Sequence, residues 1–430
     1  MNGELLTGNA AAAWGARLAE VDYVPAYPIT PQTEIIESLA QWIGAGELAA
    51  RLVTMDSEHS MLTAAGAAAA TGARVFTATS SQGLLYGLEM LYTVAGWRVP
   101  LVLVNVSRAV AAPITLEPDH NDVLAARDCG FLQIHAETCQ EVLDSVLMAY
   151  RLTEHPDVLL PVLVNLDGFY LSFTREPVDL PAAAAVRDFL PAYQPQHARF
   201  SASHAMAQGV AVLGGSAYAF FKYQMQRAAE AAVGVHDAVA AEFCNRFGRC
   251  YGAVEGYRLD DAEWVIVMSN SFATTGKAEI ARLRGRGEKV GLLRLRLVRP
   301  FPRQEIAWLL DGRRAVAVVD QNISIGQGGI FFGEIASALR SRSAPPLVSF
   351  IGGLGGRRFR SAEFDAMVAA LHVAEQEGGS AEPHLLFTAT EYEQMRQMLR
   401  IAHTSAAEPT AVPAAAPAAA PPPGGQVSPG

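Results

Sequence analysis

The sequence is poor in cysteine and in positive charge. Its 430 residues include four cysteines, Cys129, Cys139, Cys244 and Cys250, which is too sparse for a secreted disulfide scaffold. No two form a CxxC pair, and the spacing of Cys244 and Cys250 matches zinc or iron–sulfur ligands poorly. We therefore expect four buried or incidental thiols. The net charge of −10 disfavours a protein that coats nucleic acid or anionic membrane.

Long apolar runs, targeting signals and several common motifs are also missing. The segment most like a membrane span, residues 205–221, is interrupted by Gln208, Gly209 and Gly214 and is predicted to be buried. The first residues, MNGELLTGN, lack the basic and apolar regions of a signal peptide, so we expect a cytoplasmic protein. No P-loop, HExxH or GxSxG motif occurs, which disfavours the site types that these motifs build.

The composition indicates large folded domains and a disordered end. Half of the residues are hydrophobic and 18% are charged, so the chain can bury large cores. Its length predicts two or three domains. Residues 404–430 are rich in alanine and proline, and such a segment buries too little apolar surface to offset its ordering entropy. We expect a disordered tail there.

The hydrophobic pattern predicts an α/β protein with two doubly wound domains. Residues 1–180 alternate amphipathic helices with short Val- and Leu-rich strands, which is typical of a parallel sheet covered on both faces. Residues 181–258 are predicted to be a connector with one long helix over 220–247, after a loop-rich stretch over 177–195. Residues 259–403 return to α/β alternation, with strands over 264–269, 290–295 and 315–319 and a last strand over 347–351.

Polar residues follow four predicted strands of the first domain. The turn Tyr27–Pro31 follows the first strand, Glu58 the second, the small-residue turn Ser81–Gly83 the third, and Arg108 the fourth. Ligands bind outside the carboxyl ends of strands in open α/β sheets, so this shared edge predicts a site. Arg108 suits bidentate binding of a carboxylate, and Glu58 suits proton exchange with a heterocycle.

Each of these residues also has a purely structural interpretation. Thr30 could cap a helix that starts near Pro31, and Asp56 or Ser57 could cap the next one, with Glu58 in its first turn. Arg108 could instead form a salt bridge to a nearby aspartate.

Two further clusters are weaker as sites. His120 stands with Asp119 and Asp122, but without a second cluster a polar turn is a better interpretation than a metal site. The glycine-rich turn DQNISIGQGG, residues 320–329, follows a strand but lacks the full GxGxxG fingerprint, which disfavours dinucleotide binding.

Seven motifs in order resemble the alpha subunit of 2-oxoacid:ferredoxin oxidoreductases of the pyruvate type. In the first domain they are YPITP, DSEHS, FTATSSQGL, SRAVAAPI with DHNDVLAARD, and LPVLVNLDGF. In the second they are GEKVGLLRLRLVRPFP and DQNISIGQGG. The resemblance runs from about residue 8 to residue 400 and excludes the tail.

The resemblance implies a thiamine diphosphate enzyme that converts a 2-oxoacid and coenzyme A to acyl-CoA and CO2. The first domain would bind the cofactor's pyrimidine, and the second would resemble the carboxy-terminal domain of transketolases. Glu58 would be the catalytic residue, bonded to N1′ of the aminopyrimidine, and Thr30 and Arg108 would bind the substrate. The cofactor-binding residues would be Tyr27, Pro28, Ile29, Glu58, Ser81, Gln82 and Gly83.

The same resemblance implies a hetero-oligomer. A beta subunit would carry the diphosphate and Mg²⁺, so no metal or covalent cofactor is expected on this chain. Gamma and ferredoxin-like subunits would carry 4Fe–4S clusters, which agrees with the scarcity of cysteine here. Ferredoxin or an NAD-linked acceptor would take the electrons, and neither nucleic acid nor membrane is an expected partner.

One departure from the family pattern concerns the substrate. Residues 115–118 read TLEP, whereas the pyruvate-type pattern carries a Trp-Cys pair in this stretch. This leaves room for a 2-oxoacid bulkier than pyruvate, such as phenylglyoxylate or a branched-chain acid. A non-catalytic structural subunit and a transketolase-like transferase remain as alternatives.

Overall fold

A parallel sheet forms the centre of the first half of the chain. The computed structural model describes residues 3–195, 199–203, 205–209, 211–340 and 344–402. The first sheet has the order β12-β6-β7-β5-β4, in which all pairs except β12–β6 are parallel. Strands β2 and β3 form a parallel pair beside it, and Tyr23 of β2 bridges to Val75 just before β4.

The strands are numbered in chain order. They are β1 Gly3–Thr7, β2 Tyr23–Ala26, β3 Arg51–Thr54, β4 Phe76–Thr79, β5 Val102–Ser107, β6 Leu132–His135, β7 Val162–Asp167, β8 Arg175–Asp179, β9 Val254–Tyr257, β10 Trp264–Ser269, β11 Val290–Leu295, β12 Leu297–Arg299, β13 Ala315–Asp320, β14 Leu347–Ile351 and β15 Ser380–Leu385.

The helices are numbered in the same way. They are α1 Gly8–Leu18, α2 Thr33–Gly44, α3 Glu58–Ala69, α4 Gln82–Tyr86, α5 Leu88–Trp97, α6 Asn121–Ala125, α7 Cys139–Thr153, α8 Ala183–Phe189, α9 Gly215–Phe247, α10 Phe272–Gly285, α11 Arg303–Leu310, α12 Ile330–Leu339, α13 Ser361–Glu377 and α14 Ala389–Ala402, with a short 3-10 helix at Leu354–Gly356.

Hydroxyl side chains determine where several of these helices begin. Thr7, Ser57 and Thr138 each accept a hydrogen bond from the backbone N–H three residues later, at the starts of α1, α3 and α7. Such caps satisfy N–H groups that have no partner inside the helix. At α3 the cap is Ser57, one of the two residues predicted for it.

The first sheet is covered on both faces, as its continuous apolar strands predict. Every residue of β5 is buried. Its Val102, Val104 and Val106 belong to the core that includes α1 and α7, whereas Leu103 belongs to the core that includes α3 and α5. Two-sided burial of this kind is typical of parallel sheets.

The second sheet has the order β15-β14-β13-β10-β11-β9. Strands β10, β11, β13 and β14 match the predicted strands, but β14 is not the last one, since β15 pairs with it after α13. Strand β9 lies in the segment assigned to the connector and pairs with β11. Strand β12, which directly follows β11, pairs instead with β6 of the first sheet.

The connector contains the predicted long helix and more regular structure than expected. Helix α9 has 33 residues and packs on the first core from Ala228 onward. Because its first turns lie before that contact, the described part of residues 205–221 is mostly exposed, and the prediction of burial there is wrong. The stretch 177–195, predicted as loop, contains part of β8 and all of α8.

Two of the four cysteines are bonded to each other, contrary to the prediction. Helix α9 ends at Phe247, and Gly248 adopts a left-handed backbone (φ 69°) that turns the chain back. Cys244 and Cys250 thereby come to a Cα–Cα distance of 4.4 Å and form a disulfide. Cys129 and Cys139 are buried thiols, as predicted.

The chain divides into two compact units at Leu386. The first contains both large sheets, and the described part of the second contains α14. The predicted tail, 404–430, lies outside the described residues. Within the described ranges, no helix is both long and apolar enough to cross a membrane.

Candidate active site

Glu58 is the first residue of α3 and follows the carboxyl end of β3. Its side chain is 6% exposed, and no hydrogen bond or ion pair within the described ranges involves its carboxylate. The carboxylate lies against the turn that follows β4. A Cβ added to Gly83 would stand 2.5 Å from Oε1 of Glu58 and 2.6 Å from Oγ1 of Thr79. Glycine at this position therefore leaves the carboxylate room.

Arg108 joins two of the other predicted site segments. Its Nη1 donates to the carbonyl oxygen of Thr30 at 2.8 Å, and its Nη2 donates to Oε1 of Gln82. Burial lowers the pKa of Arg108, and the nearby charge of Asp122 opposes that shift. No ion pair holds the guanidinium within the described ranges, so the predicted alternative of a salt bridge is absent there.

Several polar atoms in and next to these segments are buried and lack a hydrogen-bond partner. Among the described residues they include Oγ1 of Thr79, Nε2 of Gln82 and Nε of Arg108. Buried polar groups are normally satisfied, because leaving one unpaired costs about 1–3 kcal/mol. Together with the Glu58 carboxylate, which lies with Thr79 Oγ1 against Gly83, such a set is typical of a site that a polar ligand completes.

The turn Tyr27–Pro31 is anchored differently from the prediction. Helix α2 begins at Thr33 with Gln32 at its cap position, so Thr30 does not cap it. Instead Nε2 of Gln32 donates to the carbonyl oxygen of Tyr27 at 2.9 Å. Tyr27 and Ile29 are half-buried, whereas Pro28 and Thr30 are exposed.

Ser81 lies in the site turn, but its N–H and hydroxyl are bonded to other protein groups. Its N–H donates to Asp122 at 3.2 Å, and its hydroxyl donates to the carbonyl oxygen of Ala109 at 3.2 Å. The structure thus brings Thr30, Gln82 and Arg108 together, and it places Glu58 against Gly83. Ser81 stabilises the turn through its bonds to Asp122 and Ala109.

The Asp119–Asp122 segment runs from a buried polar turn into the start of α6. Nε2 of His120 bonds to Asp167 at 2.9 Å, and Asp122 accepts hydrogen bonds from Ser81 and from Asn105 of β5. Burial would lower the pKa of His120, but the charge of Asp167 raises it above its ordinary value. Within the described ranges, no group of His, Cys, Asp or Glu side chains is arranged to hold a metal ion.

The glycine-rich turn after β13 is built around Asp320. The backbone N–H groups of Phe331 and Phe332 donate to its carboxylate at 2.7 and 3.1 Å. A Cβ on Gly329 would lie 2.0 Å from Oδ2 of Asp320. Packing against Asp320 is therefore enough to explain the glycine, and no bound dinucleotide is needed.

Comparison with known families decides the identity of this fold. A sequence profile described as "Pyruvate flavodoxin/ferredoxin oxidoreductase, thiamine diP-bdg" matches residues 14–240. The chain belongs to the pyruvate flavodoxin/ferredoxin oxidoreductase family. A second profile, "Pyruvate:ferredoxin oxidoreductase core domain II", matches residues 262–364, which include β10, β11, β13 and β14 of the second sheet of this family member.

Curated relatives of this family member carry two different substrate names. Pyruvate synthase subunit PorA of Methanocaldococcus jannaschii is 43% identical, over 87% of this chain and 96% of its own. Ketoisovalerate oxidoreductase subunit VorA of Pyrococcus abyssi is 42% identical, over 85% of this chain and 92% of its own. This chain is therefore a subunit of a thiamine diphosphate-dependent 2-oxoacid oxidoreductase.

A solved structure shares the fold of this family member. The 2-oxoglutarate:ferredoxin oxidoreductase from Magnetococcus marinus has a TM-score of 0.66 at 18% identity. The match covers 86% of this chain and 65% of that chain. The predicted α/β fold class is confirmed.

Sequence reasoning missed the contributions of Thr79 and Asp122. Thr79 is the last residue of a strand whose four residues are all buried, and a hydroxyl at the carboxyl end of such a strand was the available signal. Asp122 stands in a cluster for which the sequence favours a polar turn over a metal site, and nothing in the sequence indicates which segments it would bind.

Proposed function

We propose that this chain supplies the pyrimidine-binding and substrate-binding half of the active site of a coenzyme A-dependent 2-oxoacid oxidoreductase. The observation that carries the proposal is the Glu58 carboxylate, buried against Gly83 without a protein partner in the described ranges. The unpaired Oγ1 of Thr79, which lies against Gly83 with Glu58, and the unpaired Nε2 of Gln82 provide further hydrogen-bonding capacity.

These residues fit the aminopyrimidine end of thiamine diphosphate. The ring offers donors and acceptors along one edge, which suits the Glu58 carboxylate, the Thr79 hydroxyl and the Gln82 amide. Tyr27, Pro28 and Ile29 would pack beside the ring, and the turn Ser81–Gly83 would allow its close approach. When bound, the cofactor supplies an electron sink for cleavage of the bond to the carboxyl carbon.

Glu58 would hold and exchange a proton with the ring nitrogen N1′. A carboxylate in a site with little water is a stronger electrostatic partner than one in solvent, because the local dielectric is low. Its position at the start of α3 keeps it at the strand edge, and Gly83 keeps its path to the ligand open.

Arg108 and Thr30 would bind the 2-oxoacid. Arg108 carries an unpaired Nε and a guanidinium with no ion-pair partner in the described ranges, which suits a carboxylate. The exposed hydroxyl of Thr30 would face the carbonyl side. The carboxylate of a bound substrate would also neutralise the charge of Arg108, which burial otherwise disfavours.

The overall reaction turns a 2-oxoacid and coenzyme A into acyl-CoA, CO2, one proton and two electrons. We infer that a beta subunit holds the diphosphate and Mg²⁺, and that gamma and ferredoxin-like subunits carry 4Fe–4S clusters. Ferredoxin or an NAD-linked acceptor would take the electrons. The relatives' designation as subunits supports an assembly of several chains.

The substrate is pyruvate or a bulkier 2-oxoacid. Pyruvate-named and ketoisovalerate-named relatives are similar to this chain to the same degree. The stretch 111–114, next to Arg108 in sequence, is exposed and offers space for a branched or aryl group. Initial rates with pyruvate, 2-oxoisovalerate and phenylglyoxylate, each with coenzyme A and a viologen dye, identify the preferred acid.

The test of the proposal is Glu58→Gln in the complex assembled with its partner subunits. We expect dye reduction to fall by at least about a hundredfold with the fold retained, because the variant cannot exchange the proton. Glu89→Gln is the matched control, since Glu89 is exposed and pairs only with His59 in the described ranges. Near-normal turnover of Glu58→Gln would refute the proposal.

Arg108→Ala tests the substrate half separately. We expect KM for the 2-oxoacid to rise by about tenfold or more, while kcat falls less, because the lost interaction is already made in the ground state. An unchanged KM would remove Arg108 from the substrate site.

A further inference from the structure

Asp122 has a fully buried carboxylate on which five hydrogen-bond donors converge. The donors are the backbone N–H groups of Ser81 (3.2 Å), Arg108 (3.3 Å) and Val123 (2.7 Å), the amide of Asn105 (3.0 Å) and the hydroxyl of Ser107 (3.1 Å), whose single proton is shared with Oδ1 of Asn165 at 2.8 Å. A carboxylate has about four lone-pair sites, so this one is saturated within the protein. It is therefore unavailable to a ligand.

Two of these donors belong to the loops that carry the proposed ligand contacts. Arg108 binds Asp122 through its backbone, while its guanidinium contacts Thr30 and Gln82. Ser81 directly precedes Gln82 and Gly83, and its φ of 45° is unusual for a residue with a side chain. The bond from its N–H to Asp122 helps to hold this strained turn.

The residues before Asp122 anchor it to the rest of the molecule. The N–H of His120 donates to the carbonyl oxygen of Gln321 at 2.8 Å, and Oδ1 of Asn121 accepts from the N–H of Ile323 at 2.9 Å. Both partners lie in the turn after β13 of the second sheet. The position of Asp122 is thus also held by the turn that follows β13.

We propose that Asp122 is a positioning residue that sets the distance between Arg108 and the turn Ser81–Gly83. It ties the backbone of Arg108 to that of Ser81, and the contact between Arg108 and Gln82 depends on this tie. Asp122 touches neither substrate nor cofactor. This inference rests on the proposed function, because it assigns Asp122 a role only through Arg108 and Gln82.

The experiment compares Asp122→Asn with Arg108→Ala in the assembled complex. The asparagine keeps the volume but exchanges one acceptor oxygen for a donor, which opposes the N–H groups that face it. We expect KM for the 2-oxoacid to rise by about tenfold. Because both changes act through one interaction, the double variant should lose little more than Arg108→Ala alone.

Asp144→Asn is the matched control. Asp144 is also a fully buried carboxylate, but it accepts from Arg249, Tyr251 and Gln140, which belong to no proposed site segment. We expect this variant to lose thermal stability while KM stays within about twofold of wild type. In the double variant, the effects of Asp144→Asn and Arg108→Ala on KM should simply add. An equal rise in KM for both aspartate variants would mean that Asp122 is merely structural.

The outcomes separate this inference from the proposed function. If Arg108→Ala leaves KM unchanged, the substrate site itself is misassigned. If Arg108→Ala raises KM but Asp122→Asn does not, only the positioning role is overturned. Should Asp122→Asn fail to fold, Ser107→Ala removes one of the five donors, and we expect KM to rise two- to fivefold. An unchanged KM in that variant overturns the role of Asp122.

Discussion

The absence of a side chain at Gly83 leaves space for the carboxylate of Glu58. The position that a Cβ would take lies 2.5 Å from the Glu58 carboxylate, closer than such atoms can approach. We expect Gly83→Ala to displace Glu58 and lower turnover by at least about tenfold, while helix α4 gains slightly in intrinsic stability. The measurement is dye-linked turnover of the assembled complex beside the thermal unfolding midpoint.

Gly234→Ala provides the control for that substitution. Gly234 is also helical, but among the described residues no atom beyond its own stretch of helix lies within 4 Å of the position that its Cβ would take. The variant should keep full turnover and gain up to about 1 kcal/mol in free energy of unfolding. Equal activity of the two alanine variants would contradict the role assigned to Gly83.

Asp320 predicts a measurable pH dependence of stability. Burial raises the pKa of Asp320 from 3.8 to about 6, although hydrogen bonds from Asn322 and from two backbone N–H groups oppose the shift. The folded state therefore binds the proton more tightly than the unfolded state. The stability that this contributes is fully present below pH 3.8 and is lost as the pH rises through 6.

A comparison of wild type with Asp320→Asn isolates this effect. The difference in free energy of unfolding, wild type minus variant, should fall by about 2 kcal/mol between about pH 4.5 and 7.5. Urea denaturation at four pH values measures it. A difference that stays flat over this pH range would refute the prediction.

At the level of single residues, the sequence predicted which segments come together better than the contacts that each residue makes. Chain order and burial place Glu58, Arg108 and the two turns after the carboxyl ends of β2, β3, β4 and β5, which run parallel in two adjacent sheets. The use of each polar atom depends on partners far away in sequence. Thr30 therefore binds Arg108 through its carbonyl oxygen rather than capping α2, and the N–H of Ser81 is bonded to Asp122.

Among secondary-structure elements, buried ones were predictable and edge ones were not. Strands β10 and β11 match their predicted bounds because two-sided burial requires an unbroken apolar run. Strands β8 and β15, with the sequences REPVD and SAEPHL, carry little of that signal because most of their residues are not fully buried. They form because a neighbouring strand offers unpaired backbone groups, which no local pattern records.

At the scale of the whole molecule, a buried ion network joins the two halves. Arg296, fully buried after β11, donates to Glu141 of α7 at 2.5 Å, to Ser145 at 2.9 Å and to His236 of α9 at 3.0 Å. Arg294 adds a second cation beside Glu141 at 3.1 Å. Burial alone would raise the pKa of Glu141, but the two arginines lower it.

Removing one member of this network should be costly. We expect Arg296→Met to lower the free energy of unfolding by about 3–5 kcal/mol, because it leaves Glu141 short of a partner in a buried site. Arg227→Ala breaks an exposed pair with Glu230 and should cost less than about 1 kcal/mol. Urea denaturation of both variants measures the difference, and similar losses would show that the network contributes no more than a surface pair.

Strand β12 limits how this chain can be divided or recombined. It follows β11 of the second sheet after one residue, yet it extends the first sheet through β6. A gene cut in the connector would therefore separate β6 from the strand that covers its edge. Chimeras between relatives should accordingly inherit residues 132–135 and 297–299 from the same parent, so the unit of exchange here is a discontinuous set of segments rather than a stretch of chain.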